Sequence, residues 1–514
     1  MRLKNCEVII LQHNQLRSGV LLSYLNLGIS FVIPFVYTPL MLRLLGQAEY
    51  GLYSLSSSVI GYLSLLSFGF GSTIVRYIAK SRAEGNRREE EESFGFFLLL
   101  YIILGLLVMA GGTILSSCTG SIFGQGLSDS EIAKMRTLTL IMAFNLALSF
   151  PLSVFSSVAI AHERYLFRKI MDIVSTAAAP LANLAALYLG YASVGMALAA
   201  TIVQFLLAPI SIVYCFRKLK LRPRFVRLPG SLIREMLGFS IFVFIGSLVD
   251  MLFWATDKVI LGMLASTVAV AVYNVGGTFN NIVMQLSTSI SGVLVPRITG
   301  MVITSTTKEE WTNLFIRVGR LQFLIIGLIV SGFSVFGRVF INLWAGPEYA
   351  DAFWVAVLTM FPLCIPLIQN TGLSIVVAQN KHQFRSIVYL IIAIANVIST
   401  YLVVPTMGII GAALCSCISY LLGQGIIMNI YYHKVTGLDV PRFWGNILRM
   451  AVIPGMMLIA GLFILNHVVL DSWLPFLVGV AIYSGIYCLL MYGFAMNDYE
   501  KDIIRKPLKK LFCQ

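Results

Sequence analysis

The sequence predicts an all-α integral membrane protein of about fourteen transmembrane helices, arranged as two pseudo-symmetric six-helix lobes plus two C-terminal helices. Three observations predict it. Of 514 residues, 58% are hydrophobic and only 12% charged, with a mean hydropathy of +0.86; a soluble globular chain is about 45–50% apolar and about 25% charged. Apolar runs of about 20 residues, the length of a bilayer crossing, recur from end to end. The chain also repeats itself at an offset of roughly 215–220 residues.

The apolar runs place spans near 20–42, 51–75, 94–117, 138–161, 170–190, 193–216, 238–263, 267–296, 317–341, 350–378, 386–404, 407–431, 449–469 and 473–495. The 267–296 run is long enough to be tilted or bent. With the N-terminus inside, the segments that become cytoplasmic hold 32 of the 37 Lys and Arg; the five others are Arg43, Lys134, Arg136, Lys258 and Arg338. A missed or invented span would scramble that alternation, so the positive-inside rule supports the topology. Both termini are expected to be cytoplasmic. The net charge of +14 is then an orientation device and a match to anionic headgroups of the membrane lipids, and no nucleic-acid partner is expected. Residues 1–18 lack the apolar core of a signal peptide before Arg17, so the first hydrophobic segment is expected to start insertion uncleaved.

Composition on this scale excludes intrinsic disorder and nucleic-acid-binding domains. Eight scattered cysteines give no disulfide framework. The five histidines all fall at predicted span boundaries without metal-ligand spacing, so no metal is expected. A phosphate-binding Gly-Lys-Ser/Thr loop is absent from the sequence, and the chain is not expected to be an enzyme.

The repeat shows in three matches of constant order. Tyr50-Gly51-Leu52-Tyr53 corresponds to Val270-Ala271-Val272-Tyr273. Phe167-Arg168-Lys169-Ile170 corresponds to Phe384-Arg385-Ser386-Ile387, and Val194-Gly195-Met196-Ala197 to Ile410-Gly411-Ala412-Ala413. The expected organisation is an N-lobe over 1–216, a basic cytoplasmic linker over 217–237 and a C-lobe over 238–431. Appended helices follow over 449–495, and a basic tail over 496–514. Six spans per repeat is an even number, so the lobes share one orientation and their pseudo-two-fold axis runs along the membrane normal. Two such bundles enclose a gap near mid-membrane that rocking exposes to alternate sides, the design of a secondary transporter.

Polar groups in spans are expensive when they face lipid. In the first span Asn26, Ser30 and Tyr37 recur near helical spacing, with Pro34 and Pro39 available to bend it. In the eighth, Asn274, Thr278, Asn281, Gln285 and Thr288 step by three and four, one polar stripe. Such stripes either line a cavity or hold helices together through interhelical hydrogen bonds. The seventh span carries the rarest groups, Asp250, Asp257 and Lys258. Seven residues apart on a continuous helix, the two carboxylates would share a face about 10 Å apart. They are either coupling-ion contacts or members of an ion pair. Arg76, Arg317 and Arg320, at the cytoplasmic ends of spans, either snorkel to headgroups or guide a diphosphate into the gap. The linker Arg217–Arg234 reads as a segment lying on the inner leaflet, and Glu89–Glu92 as a solvated loop or helix start.

Arg43-Leu44-Leu45-Gly46, then Tyr50-Gly51-Leu52-Tyr53, resembles the opening motif of the Wzx-type polysaccharide-biosynthesis flippases. Asp257-Lys258-Val259-Ile260-Leu261-Gly262, then Val272-Tyr273, is similar to their repeat motif. The resemblance covers about residues 18–495. That family belongs to the exporter superfamily (MATE/MOP) that also holds multidrug exporters and lipid II flippases. The resemblance implies transport of an undecaprenyl-diphosphate-linked oligosaccharide, a surface polysaccharide repeat unit, from the cytoplasmic to the outer leaflet of the bacterial plasma (inner) membrane. It implies alternating access coupled to an ion gradient, H+ or Na+, as in an antiporter. No resident cofactor is expected. The protein is expected to be a monomer that works beside polysaccharide-biosynthesis enzymes. Only Arg43, Asp257 and Lys258 fall on motif positions. The sequence departs from the family's cationic lumen, because the first lobe's span interiors hold no Lys or Arg; amides, hydroxyls and aromatics are left to contact sugars. Two alternatives stay open. A small-molecule or multidrug exporter calls for acidic groups deep in the first lobe, which are missing. A membrane glycan polymerase or ligase calls for a large soluble domain or long outer loop, and the longest outer loop, near 118–136, is short.

Overall fold

The computed structural model describes residues 28–225, 230–292, 307–379, 381–468, 470–503 and 505, and among them every regular element is helical. In chain order these are α1 (Gly28–Leu45), α2 (Gln47–Leu63), α3 (Phe70–Ala83), α4 (Arg87–Phe123), α5 (Asp129–Ala161), α6 (Tyr165–Tyr188) and α7 (Ala192–Val213). They continue as α8 (Gly230–Trp254), α9 (Thr256–Leu264), α10 (Thr267–Gly292), α11 (Lys308–Trp344), α12 (Ala352–Ile368), α13 (Asn370–Ala378), α14 (His382–Tyr420), α15 (Val440–Leu465) and α16 (Trp473–Leu490). Short π-helical turns extend α7, α14 and α16.

Among the described residues, ten helical stretches are long and apolar enough to cross a bilayer, eleven when the pair α12–α13, bent by 47°, counts as one. The stretch Gln383–Thr436 holds two of the expected spans. Counting α8–α9 and α10 as one crossing each, the helices are compatible with fourteen. The boundaries follow local chemistry. At the start of α4 the Asn86 side chain accepts from the Glu89 amide at 3.2 Å, and Ser128 with Glu131 forms a capping box on α5. The Glu89–Glu92 run is therefore a helix start, although Glu90 is buried in it. Pro34 and Pro39 sit inside an α1 that runs unbroken.

The chain divides into two compact units, Met1–Ala271 and Val272–Gln514. The first is centred on α3, α4 and α5, whose Phe70, Ile74, Phe94, Phe97, Phe150 and Val154 form a common buried core. At one end its helices are tied to the segment after α7. There the Arg224 amide donates to the Glu91 carbonyl at 2.9 Å, and Arg87 donates to the Lys220 carbonyl.

In the second unit α15 and α16 are packed on α11 through Phe336, Met450, Ile453, Phe476, Tyr483 and Tyr487. The two arms of α14 fold back on each other at Gly408, whose φ of 55° and ψ of −135° break the helix in a region that L side chains avoid. A buried clasp holds the arms. Asn396 donates to Ser416 Oγ at 3.3 Å and accepts from Ser419 Oγ at 3.1 Å. Replacing Asn396 by Leu removes both buried bonds, so we expect a loss of about 1–3 kcal/mol, read as a lower Tm in detergent. An unchanged Tm would contradict the clasp.

An aromatic pair recurs in both halves. Phe167 stacks on Tyr214 with centroids 3.7 Å apart and planes within 4°. Phe384 stacks on Tyr431 at 4.4 Å and 11°, each partner displaced by the repeat offset.

Candidate functional site

In the first unit, the two motif segments that carry the family resemblance meet. α2 packs on α9; Gly262 faces the Leu55 side chain, and Gly51 lies so close to the start of α10 that a Cβ there would overlap the Thr267 carbonyl oxygen. Tyr62 and Thr256 join their hydroxyls across the seam. Between α8 and α9 the helix is broken at Ala255, which seats Asp257 in the first turn of α9, where backbone amides favour an anion. Asp257 is 1% exposed, and its charge acts on the neighbouring Lys258 and on Tyr62. Asp250 lies on α8 and is exposed. Because of the break, the heptad spacing does not carry across from Asp250 to Asp257: one carboxylate is open and the other enclosed.

A second polar network closes the opposite side of the motif. Lys134 is paired with Glu49, which also accepts from Ser193 Oγ at 2.5 Å. Thr267 Oγ1 donates to Glu131 at 2.6 Å. These bonds tie α2, α5, α7 and the first turn of α10 at one end of the unit.

In the second unit α10 presents two polar faces. Asn280 and Ser287 are buried: Asn280 donates to Thr359 Oγ1 at 2.7 Å, and Ser287 Oγ accepts from Asn370 at 3.1 Å and Gln322 at 3.3 Å. Asn281, Gln285 and Thr288 lie on the exposed face, with Asn274 and Thr278 half-buried above them. The sequence-derived stripe is thus the side of α10 kept off the unit's core, and Asn280 and Ser287, outside it, bond to neighbouring helices. Close to the bend between α12 and α13, Asn429 Oδ1 accepts from Gln369 and from the Trp444 indole, both at 2.8 Å.

The cationic candidates divide. Arg320 is 8% exposed and forms a two-pronged ion pair with Glu500, at 2.6 and 2.9 Å, while also donating to the Ala495 carbonyl at 2.8 Å. Arg317 lies 4.4 Å over the Tyr499 ring. Both therefore bind the segment that follows α16. Arg76 is exposed on α3, as are Arg43 on α1 and Arg338 on α11. Ser30 and Tyr37 are half-buried on α1, and Tyr37 Oη accepts from Asn183 at 3.3 Å. Asn26 lies outside the described residues.

Two features escaped the sequence reading. His162, at the end of α5, faces Glu90 at 2.9 Å and the Val158 carbonyl at 3.0 Å; only the acidic run near Arg87 hinted at it. The second is a groove of about 410 Å³ between α15 and the end of α16 with its π-turn, lined by Arg449, Val452, Ile453, Met456, Leu490 and Phe494. Among the described residues no cluster of His, Cys, Asp or Glu is arranged to hold a metal.

Helices of this length and apolarity define a multi-pass membrane protein, and its fold is one shared by solved transporters. It superposes on the lipid II flippase MurJ in an inward closed conformation with a TM-score of 0.73, covering 95% of this chain and 99% of that one at 14% identity. An inward-facing multidrug resistance MATE family transporter of the MOP superfamily gives 0.61, covering 80% and 99% at 14% identity. The chain belongs to the polysaccharide biosynthesis protein family, whose model matches residues 16–302. It is also similar to the uncharacterized membrane protein EpsK of Bacillus subtilis, 21% identical over 92% of this chain and 94% of that one. The uncharacterized membrane protein MJ1068 of Methanocaldococcus jannaschii is 23% identical over 88% and 91%.

Proposed function

We propose that the protein is a flippase that moves a polyprenyl-diphosphate-linked oligosaccharide from the cytoplasmic to the outer leaflet by alternating access. The observation that carries the reading is family membership in polysaccharide biosynthesis on a chain built as a multi-span helical bundle. Such a substrate has three parts, and the second unit offers a surface for each. The groove lined by Val452, Ile453, Met456 and Phe494 suits one isoprenoid chain, and Arg449 in the same lining suits the diphosphate. The amides and hydroxyls on the exposed face of α10 suit a neutral glycan, which is held by hydrogen bonds. Arg320 is left out of substrate contact, because its guanidinium is engaged by Glu500.

Asp257, with Lys258, is the coupling centre in this reading, since an enclosed carboxylate at a helix break takes up a cation or proton at a large change in local energy. Asp250 is the exposed alternative. Asp257→Asn is expected to abolish the dependence of transport on an imposed H+ or Na+ gradient; unchanged ion dependence would remove the coupling role. The function itself is tested in cells. Deleting the gene is expected to abolish a surface glycan and to accumulate its lipid-linked precursor in the inner leaflet. A normal glycan with no precursor build-up would contradict the proposal.

A further inference from the structure

A second groove, of about 540 Å³, opens on the first unit where α7 passes into its π-helical turn Tyr214–Lys218. Pro209, Ile210 and Val213 form its apolar wall, the stacked rings of Phe167 and Tyr214 its floor, and Arg217 and Lys218 its far end. Ile210 and Val213 are each nearly half exposed, so the wall is open along its length. Arg217 and Lys218 are residues of that turn, and an equivalent turn, Tyr432–Thr436, follows the second repeat's stack.

The charge at the far end is uncompensated by the lining, which contains no acidic residue. Arg164 acts electrostatically on Tyr214, adding a third cation to this end. Asp172, the acidic residue on the same helix as Phe167, is already paired with Arg168 at 2.9 Å.

The repeat supplies an internal control. The corresponding stack, Phe384 on Tyr431, is closed by the chain itself. The Tyr431 hydroxyl donates to the Lys381 carbonyl at 2.8 Å, and Lys381 Nζ reaches across to the Val435 carbonyl at 3.0 Å. Tyr431 is accordingly buried. The fold's symmetry thus accounts for the aromatic floor; at the same offset Arg217 corresponds to Lys434 and Lys218 to Val435, so the adjacent Arg–Lys pair belongs to the first repeat.

We infer that this groove seats one anionic glycerophospholipid, its acyl chain along Pro209, Ile210 and Val213 and its phosphate on Arg217 and Lys218. The occupant is a phosphodiester with a net negative charge. A zwitterionic headgroup would bring its ammonium against Arg217, Lys218 and Arg164. The inference needs only that α7 crosses the membrane; it is independent of the transported substrate, so either can fail alone.

The test uses the full chain purified in detergent, with bound lipid read by native mass spectrometry and by Tm on adding phosphatidylglycerol, phosphatidylcholine, a polyprenyl phosphate or glycerol 3-phosphate. Phosphatidylglycerol is expected to bind and to raise Tm; phosphatidylcholine and glycerol 3-phosphate are not. Arg217→Gln with Lys218→Gln should weaken phosphatidylglycerol binding about thirty-fold, the expectation for two surface cations. Ile210→Trp should weaken it as well by filling the wall with both cations intact. Arg222→Gln with Arg224→Gln, which removes equal charge beyond the groove, should leave binding within about two-fold. Full retention in the Arg217/Lys218 variant, equal loss in the Arg222/Arg224 control, equal binding of phosphatidylcholine, or displacement by polyprenyl phosphate at equal mole fraction would each overturn the assignment.

Discussion

Glu500→Ala is expected to be among the most damaging single substitutions in the chain. Glu500 is 1% exposed and meets Arg320, itself almost fully enclosed, through two charge-assisted hydrogen bonds. Removing one partner leaves the other charge enclosed without compensation, a cost of about 3–5 kcal/mol. The loss is larger than for a surface pair, because Glu500 is also built into its own turn. The Asn497 amide donates to its carboxylate at 3.0 Å, and the Glu500 amide donates to Asn497 Oδ1 at 2.9 Å. Thermal unfolding in detergent should show a large fall in Tm, and limited proteolysis should cut the segment after α16. The paired replacement Arg320→Met with Glu500→Leu should recover much of the stability, since apolar pairs of similar volume often substitute for a buried ion pair. A Glu500→Ala protein as stable as its parent would mean that the pair holds nothing.

Gly51→Ala is the second large effect, and it comes from shape alone. The added methyl would occupy the space of the Thr267 carbonyl oxygen. That atom is backbone at the start of α10 and cannot rotate aside, so α2 and α10 must part. Overpacking of this kind costs typically 1–3 kcal/mol and at times more; with a backbone atom as the obstacle we expect about 3 kcal/mol, seen as reduced yield and lower Tm. Separation of these helices also strains the Tyr62–Thr256 bond and the Thr267–Glu131 bond. Gly51→Ala at wild-type Tm would contradict the close approach of Gly51 to the Thr267 carbonyl oxygen.

Membrane class was legible in composition alone, and individual crossings were legible in the apolar runs, because a bilayer imposes length and polarity on each helix separately. Breaks inside crossings were less so. Ala255 carries no breaking signal, yet it separates Asp250 from Asp257 and gives them opposite environments. The polar stripe of α10 was legible as a periodicity, but periodicity does not say which face meets the core. Asn280 and Ser287, off the stripe, are buried and bond to neighbouring helices. Arg320 looked like an anchor or a substrate guide because its partner is 180 residues away, and no local pattern points to Glu500. The motifs Tyr50-Gly51-Leu52-Tyr53 and Asp257–Gly262 were recognised as family signatures; their packing against each other explains physically why Gly51 and Gly262 carry no side chain there.

The central claim is that this chain carries a lipid-linked oligosaccharide across a bilayer, and the most direct measurement is leaflet transfer in proteoliposomes. Purified protein is reconstituted with a polyprenyl-diphosphate-linked oligosaccharide, and access of an impermeant glycan-modifying enzyme to the sugar is followed with time. The account predicts protein-dependent transfer that accelerates under an imposed ion gradient and loses that acceleration in Asp257→Asn. Transfer at the rate of protein-free vesicles, with or without a gradient, would contradict it.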